Sequence, residues 1–485
     1  MYQSTRGRQT VHASDAIMKG IASDGGLFSM VDFPKASFLS RLHEMDYLEI
    51  SKSVLAYFLD DFNKDEINTL VNQAYSFENF PNQIVQLEEI GNDDLLTLYH
   101  GPTFAFKDMA LTIFSSLYSL AKKKQGENRR TIILSATSGD TGSAVLNGFK
   151  NDLDTEIIIF YPHQRISPFQ KKQMHFFENE RRHVIAIEGN FDDCQSLIKT
   201  GFEKIELQHS IFSSANSINI ARIIPQVIYY FWSYGELLRR RKIQYTDSIN
   251  FVVPTGNFGN ILAGYYAKKM GLFIHQLVVS SNQNNVLTDF FRQGIYNKNR
   301  PFIETTSPSM DILVSSNLER LLFEVSDHDT SFVKEKMEEL KVLGRYQIQR
   351  EKYPELTCFY SAYLNESEVL SQIKKTYREY GKVVDPHTAV GIGCLSKYRL
   401  STGDKTTSVV LSTASPLKFA SSVLKGLGRP SPMTDMASYE MMENDFGFRV
   451  DQRAHSFLQV EPMVPTWKKE NAFENLKKMV GELDV

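Results

Sequence analysis

From about residue 94 onward, short unbroken apolar runs alternate with longer stretches in which apolar residues recur every three or four positions. The runs are "TIILSA" (131–136), "EIIIF" (156–160), "HVIAI" (183–187), "NFVVP" (250–254), "HQLVVS" (275–280) and "SVVLS" (408–412). Val and Ile without polar alternation suit strands covered on both faces, and hence a parallel sheet between helices. The alternation predicts an α/β fold. Residues 36 to about 80 differ: Leu39, Leu42, Met45 and Leu48 fall at mixed three- and four-residue spacing and predict helix. Another helix is expected after Asn190, a good cap, with Asp192 and Asp193 in its first turn. Residues 296 to 380 read as largely helical and solvent-facing.

Composition divides this pattern. A chain of 485 residues exceeds one ordinary core, so two or three domains are expected. The polar stretches "GENRR" (126–130) and "SYGELLRRRKIQYTDS" (233–248) bracket an insertion. The expected division is a helical N-terminal region (1–93), a large domain (94–125 and 245–425), a smaller inserted α/β domain (126–244) and a C-terminal extension (426–485) without a placement. A net charge of −3 argues against nucleic-acid binding through bulk positive charge. The basic clusters at 122–130 and 239–242 read as helix ends, where cations suit the dipole. Cys194, Cys358 and Cys394 lie far apart without ligand spacing, which suits a reducing compartment and no metal site. "MYQSTRGRQT" lacks a signal-peptide core, and no apolar run approaches the roughly 18 residues of a membrane span. A cytoplasmic protein without a membrane partner is expected.

Ligands of α/β sheets gather at the carboxyl ends of strands. Three strand-to-turn sites stand out there. In "TIILSATSGDTGSAV" (131–145) a strand runs into Thr137, Ser138, Gly139, Asp140, Thr141 and Gly142, with a helix expected near Ser143. Hydroxyls and glycines at a helix amino terminus suit an anion, although the same residues make ordinary capped turns. In "NFVVPTGNFGN" (250–260) small residues again precede a helix, and phosphate is the natural ligand. In "SVVLSTASPLKF" (408–419) hydroxyls end a strand before Pro416, either for a ligand or as a cap. A fourth stretch, "HGPTFAFKDMAL" (100–111), puts Lys107 among phenylalanines at a helix entry. Such a lysine either snorkels to solvent or is a desolvated amine, nucleophilic once its pKa falls. A phosphate cradle, a hydroxyl for a ring nitrogen and an aldehyde-accepting lysine together describe pyridoxal phosphate. His100, His163 and His387 are scattered and read as structural.

The ordered motifs "YQSTRG", "ASDGGLF", "HGPTFAFKD", "SATSGDTGSA", "SSANSINIAR", "PTGNFGNILAGYYAKKMG", "DPHTAVG" and "STASPLKF" resemble the threonine synthases, a family of fold-type II pyridoxal-phosphate enzymes. The resemblance covers roughly residues 1 to 425. It implies two parallel-sheet α/β domains with the cofactor in the cleft between them. It further implies that Lys107 forms the Schiff base with pyridoxal 5'-phosphate. Gly256, Asn257, Phe258, Gly259 and Asn260 would cradle its phosphate, and Thr413 would meet the pyridine nitrogen. Thr137, Ser138, Asp140 and Thr141 would receive the amino-acid substrate, with Arg165 and Ser167 at the substrate phosphate.

The implied reaction converts O-phospho-L-homoserine and water to L-threonine and phosphate, in a monomer or homodimer. The alternatives are a phospho-lyase releasing 2-oxobutyrate and a catalytically inactive regulatory homologue. One departure stands at Ser415, where the family is expected to carry histidine.

Overall fold

The computed structural model describes every residue except Gln164, Arg165, Met433 and Val485, and every side chain among them except that of Asp192. Two sheets organise it. The larger has six strands in the order Phe359–Tyr363, Ile274–Ser281, Ile249–Pro254, Ser408–Ser412, Asp93–Thr97 and Gln86–Ile90. All its neighbours run parallel except the last pair, which forms a hairpin. The smaller is wholly parallel, in the order Thr466–Lys468, Arg182–Glu188, Thr155–Pro162, Arg130–Ala136 and Ser210–Ser213. Each apolar run singled out in the sequence lies in one of these strands, and Thr155–Pro162, Ile249–Pro254 and Ser408–Ser412 are buried throughout. Burial on both faces is what removes polar alternation from such strands.

The helix signals hold in part: of Leu39, Leu42, Met45 and Leu48 only Leu48 lies in an α-helix, and Leu39 begins a single 3-10 turn. Asp46, Asn63 and Asn190 cap Tyr47–Phe58, Lys64–Ala74 and Phe191–Lys204 through reciprocal capping boxes. The two basic clusters follow or end the helices Asp108–Lys124 and Ile224–Arg239.

Three regions differ from expectation. The first 93 residues are not helical alone: Tyr2–Ser4 pairs antiparallel with Thr10–Val11 and Phe28–Met30, and Gln86–Ile90 joins the large sheet. Strands of two or three residues are too short for a period of two to register. Between 296 and 380, helix Leu318–Val325 is buried rather than solvent-facing, and Phe359–Tyr363 is a strand at the edge of the large sheet. The segment after 425 forms helices Asp435–Phe446, Gln452–Leu458 and Ala472–Leu483 and strand Thr466–Lys468. That strand extends the small sheet, and Leu476 packs against the helix Phe191–Lys204 at Gly201. Among the described residues, no helix is long and apolar enough to cross a membrane.

Candidate active site

Lys107 ends a turn that only a crowded backbone could hold. Gly101 lies so close to the following helix that a Cβ there would sit 2.5 Å from Cβ of Asp108. Asp108, the first residue of Asp108–Lys124, accepts hydrogen bonds from Thr103 N (2.8 Å) and Thr103 Oγ1 (2.6 Å). Burial pushes its carboxyl up to about 6 against those bonds. Phe104 adopts φ +60°, a left-handed conformation that a bulky residue keeps only when its surroundings impose it. Here the imposing element is the turn after Ser408–Ser412. Phe104 O accepts from Ser415 N (3.0 Å), and Phe106 N donates to Thr413 O (2.8 Å).

From the other side the C-terminal helix Gln452–Leu458 closes on the same turn. Arg453 donates to the carbonyls of His100 (3.1 Å) and Gly101 (3.3 Å), and Phe457 packs on Phe104. Of the two phenylalanines expected to wall Lys107, Phe106 does so, its ring 5.3 Å from Nζ. Phe104 instead packs with Phe169 and Phe457.

The Lys107 ammonium lies 3.2 Å from Asp140 Oδ2, with only 13% of its side chain exposed. Burial lowers the lysine below its ordinary range; Asp140 opposes this, and the Lys418 and Arg222 charges add to it. Burial would raise the Asp140 carboxyl, but Lys107, Lys418 and a bond from Gln170 (2.8 Å) outweigh it and hold the acid well below the usual range. Asp140 begins the helix Asp140–Gly148, three residues before the expected start at Ser143. The reason is Thr137, whose hydroxyl oxygen accepts from the N–H groups of Gly139 and Gly142 (2.9 Å each) and winds the turn early. Gly139 sits at φ +127°, where a side chain would also collide with Gln170. Ser138 and Thr141 are half-buried on the same turn.

The second expected cradle lies at the end of Ile249–Pro254. Phe258 takes the left-handed conformation (φ +63°) and caps helix Gly259–Lys269. The carbonyls of Gly256 and Asn257 turn away to accept from Ser315 Oγ (2.8 Å) and from Asn317 Nδ2 (3.0 Å) and N (3.2 Å). A helix start leaves its first N–H groups without intrahelical acceptors. Asn260 is buried with Oδ1 fixed by Tyr229 OH (2.6 Å) and Tyr230 OH (3.0 Å), while its Nδ2 finds no protein acceptor. An orphaned buried donor at a helix amino terminus fits a phosphate.

A Cβ on Gly256 would meet the Ser309 carbonyl at 2.7 Å. Gly256→Ala is therefore expected to cost about 1–3 kcal/mol by overpacking. Urea denaturation measures this, and an unchanged midpoint would mean that the 307–311 turn yields freely.

Ser309 joins the two cradles. Its hydroxyl donates to Asp140 Oδ2 (2.8 Å), and its N–H donates to His387 Nε2 (3.2 Å). His387 is held in turn by Asp385, 2.8 Å from Nδ1, which makes Nε2 the acceptor. Thr413 is buried with its carbonyl on the Lys107 turn. Ser415 caps the short turn Pro416–Phe419 through Leu417 N (3.3 Å). Ser167 likewise caps Pro168–Phe176 and donates to the Lys418 carbonyl (3.3 Å); Arg165 lies outside the described residues.

Sequence reading missed Lys418, Gln170 and Ser309 at Asp140, as well as Arg222, buried and pushed down to about 10 by burial. Lys418 carried a signal, a lysine inside the apolar "SPLKF". Ser309 carried none. Among the described residues, no group of three His, Cys, Asp or Glu is placed to hold a metal.

Known proteins resemble this chain over most of its length. Residues 1–75 match the family model "Threonine synthase N terminus", 83–354 match "Pyridoxal-phosphate dependent enzyme", and 388–449 match "Threonine synthase, C-terminal". A threonine synthase of Schizosaccharomyces pombe is 37% identical over 87% of this chain and 88% of its own. The structure of a PLP-bound threonine synthase from Brucella melitensis superposes with a TM-score of 0.86 at 33% identity, covering 99% of this chain and 98% of that one. A yeast threonine synthase gives 0.87 at 31%, covering 100% and 98%. The chain belongs to the threonine synthase family and is a pyridoxal-phosphate-dependent lyase.

Proposed function

We propose that this chain converts O-phospho-L-homoserine and water into L-threonine and phosphate. One observation carries the reading. A buried amine, Lys107, meets a carboxylate at the start of one helix, and Ser309, which donates to that carboxylate, packs its carbonyl close against Gly256 in the turn that starts a second. An amino acid bearing a phosphate needs a reactive amine beside two anion-binding helix termini, one for the cofactor phosphate and one for the substrate.

Gly256, Asn257, Phe258, Gly259 and Asn260 would hold the cofactor phosphate, with Thr413 at the ring nitrogen and Lys107 as the covalent anchor. Pyridoxal phosphate supplies electron withdrawal from the bound amino acid. Lys107 Nζ, once free, takes the Cα proton, and its lowered pKa keeps it a competent base. Thr137 shapes the turn on which Ser138, Asp140 and Thr141 meet the substrate, and Arg165 and Ser167 are assigned to its phosphate. Thr413, as a neutral hydroxyl, would not enforce a protonated ring nitrogen, which would temper that withdrawal.

We take residues 126–244 as the smaller domain and 94–125 with 245–425 as the larger, flanked by 1–93 and 426–485. Asp140 comes from the smaller, and Lys107, Ser309 and Lys418 from the larger, so the site is assembled from both and needs them in contact, as they are here. The free cysteines Cys194, Cys358 and Cys394 support a cytoplasmic setting.

Incubation of the cofactor-loaded protein with O-phospho-L-homoserine tests the reaction. Threonine and phosphate are expected in equal amounts. 2-Oxobutyrate without threonine would assign the phospho-lyase reaction, and no turnover at all would assign the regulatory homologue.

A further inference from the structure

Lys418 is a lysine with nowhere to snorkel: none of its side chain is exposed. Ser415 caps the tight turn Pro416–Phe419, and that turn drives Lys418 inward. Its ammonium donates to the Thr103 carbonyl (2.8 Å) and Gln173 Oε1 (2.8 Å) and forms an ion pair with Asp140 Oδ1 (3.0 Å). Asp140 is thereby divided. Oδ1 takes Lys418 and Gln170, and Oδ2 takes Lys107 and Ser309. One buried carboxylate serves two ammonium groups.

We propose that Lys418 is a positioning residue for Lys107, pinning the Asp140 carboxylate from its far oxygen and drawing off part of the charge the reactive amine would otherwise command. The inference rests on reading Lys107 as that amine. The charged groups facing Lys107 are Asp140, Lys418 and Arg222; Asp140 also faces His387, and Lys418 faces Asp108. Burial lowers Lys107, Asp140 raises it, and Lys418 lowers it again. Removing the Lys418 charge leaves Lys107 as the one lysine paired with Asp140, so the amine keeps its proton to higher pH.

The test uses the protein without cofactor, so its readout is the amine and not turnover. Brief reductive methylation with formaldehyde and cyanoborohydride, read at Lys107 by peptide mass spectrometry across pH, gives the titration midpoint. Lys418→Met is expected to raise that midpoint by about one pH unit. Lys418→Arg, which keeps the charge, should leave it near the parent value. A Met variant that titrates like the parent, or an Arg variant that shifts as far as Met, overturns the proposal. Lys418→Gln keeps hydrogen bonds without charge and takes the place of Met if Met does not fold. If both neutral variants fail to fold, Lys418 is structural and the proposal falls. A shifted Lys107 in a protein that makes no threonine would overturn the proposed reaction and leave this inference standing.

Discussion

Lys107→Ala lowers threonine formation by at least about 10³-fold, because one group is both covalent anchor and base. The fold survives. Asp140 keeps Lys418, Gln170 and Ser309 when Lys107 is removed, so no buried charge is orphaned. The cost should stay within about 1–2 kcal/mol, well below that of breaking a buried pair outright. The phosphate cradle at 256–260 is untouched, so equilibrium dialysis should still detect pyridoxal phosphate on the variant. Borohydride treatment, which fixes the cofactor to the parent chain, should leave it removable from the variant. Near-normal threonine production by Lys107→Ala would refute the central assignment.

What the sequence revealed about this site follows from the range of the forces involved. Strand and helix signals are local, so the buried runs at 131–136, 250–254 and 408–412 and the turns after them were legible. The asymmetry between Phe104 and Phe106 was not. It depends on Phe457, more than 300 positions away, and on a φ of +60° imposed by Ser415 N. The C-terminal stretch has no chemistry of its own to announce it. Its role emerges only when Arg453 reaches the His100 and Gly101 carbonyls.

Ser309 was illegible for a related reason. Serine is common in turns, and nothing in "TTSPSM" says that its hydroxyl will find Asp140. The early helix start at Asp140 was missed because a side chain, Thr137, supplies the acceptor that backbone propensity alone assigns further on.

Asp140→Ala should be the most destabilising single change in the cleft. Lys418 would keep two neutral acceptors, Thr103 O and Gln173 Oε1, but lose its carboxylate while remaining wholly buried. An uncompensated buried charge costs about 3–5 kcal/mol, and the lost acid at a helix amino terminus adds a few tenths to about 1 kcal/mol. The pH dependence carries a definite sign. The folded Asp140 carboxyl lies below its unfolded value, so its contribution is complete above the unfolded pKa and disappears as pH falls through the folded one. Parent and variant stabilities should therefore differ most near neutral pH and converge in strong acid.

The double variant Asp140→Ala, Lys418→Met removes the pair together and should recover much of the loss, since apolar replacement of a buried ion pair is often close to neutral. Urea denaturation of the four proteins without cofactor closes the cycle. A single Asp140→Ala variant within about 1 kcal/mol of the parent would refute the cost assigned here to breaking the buried Lys418–Asp140 pair.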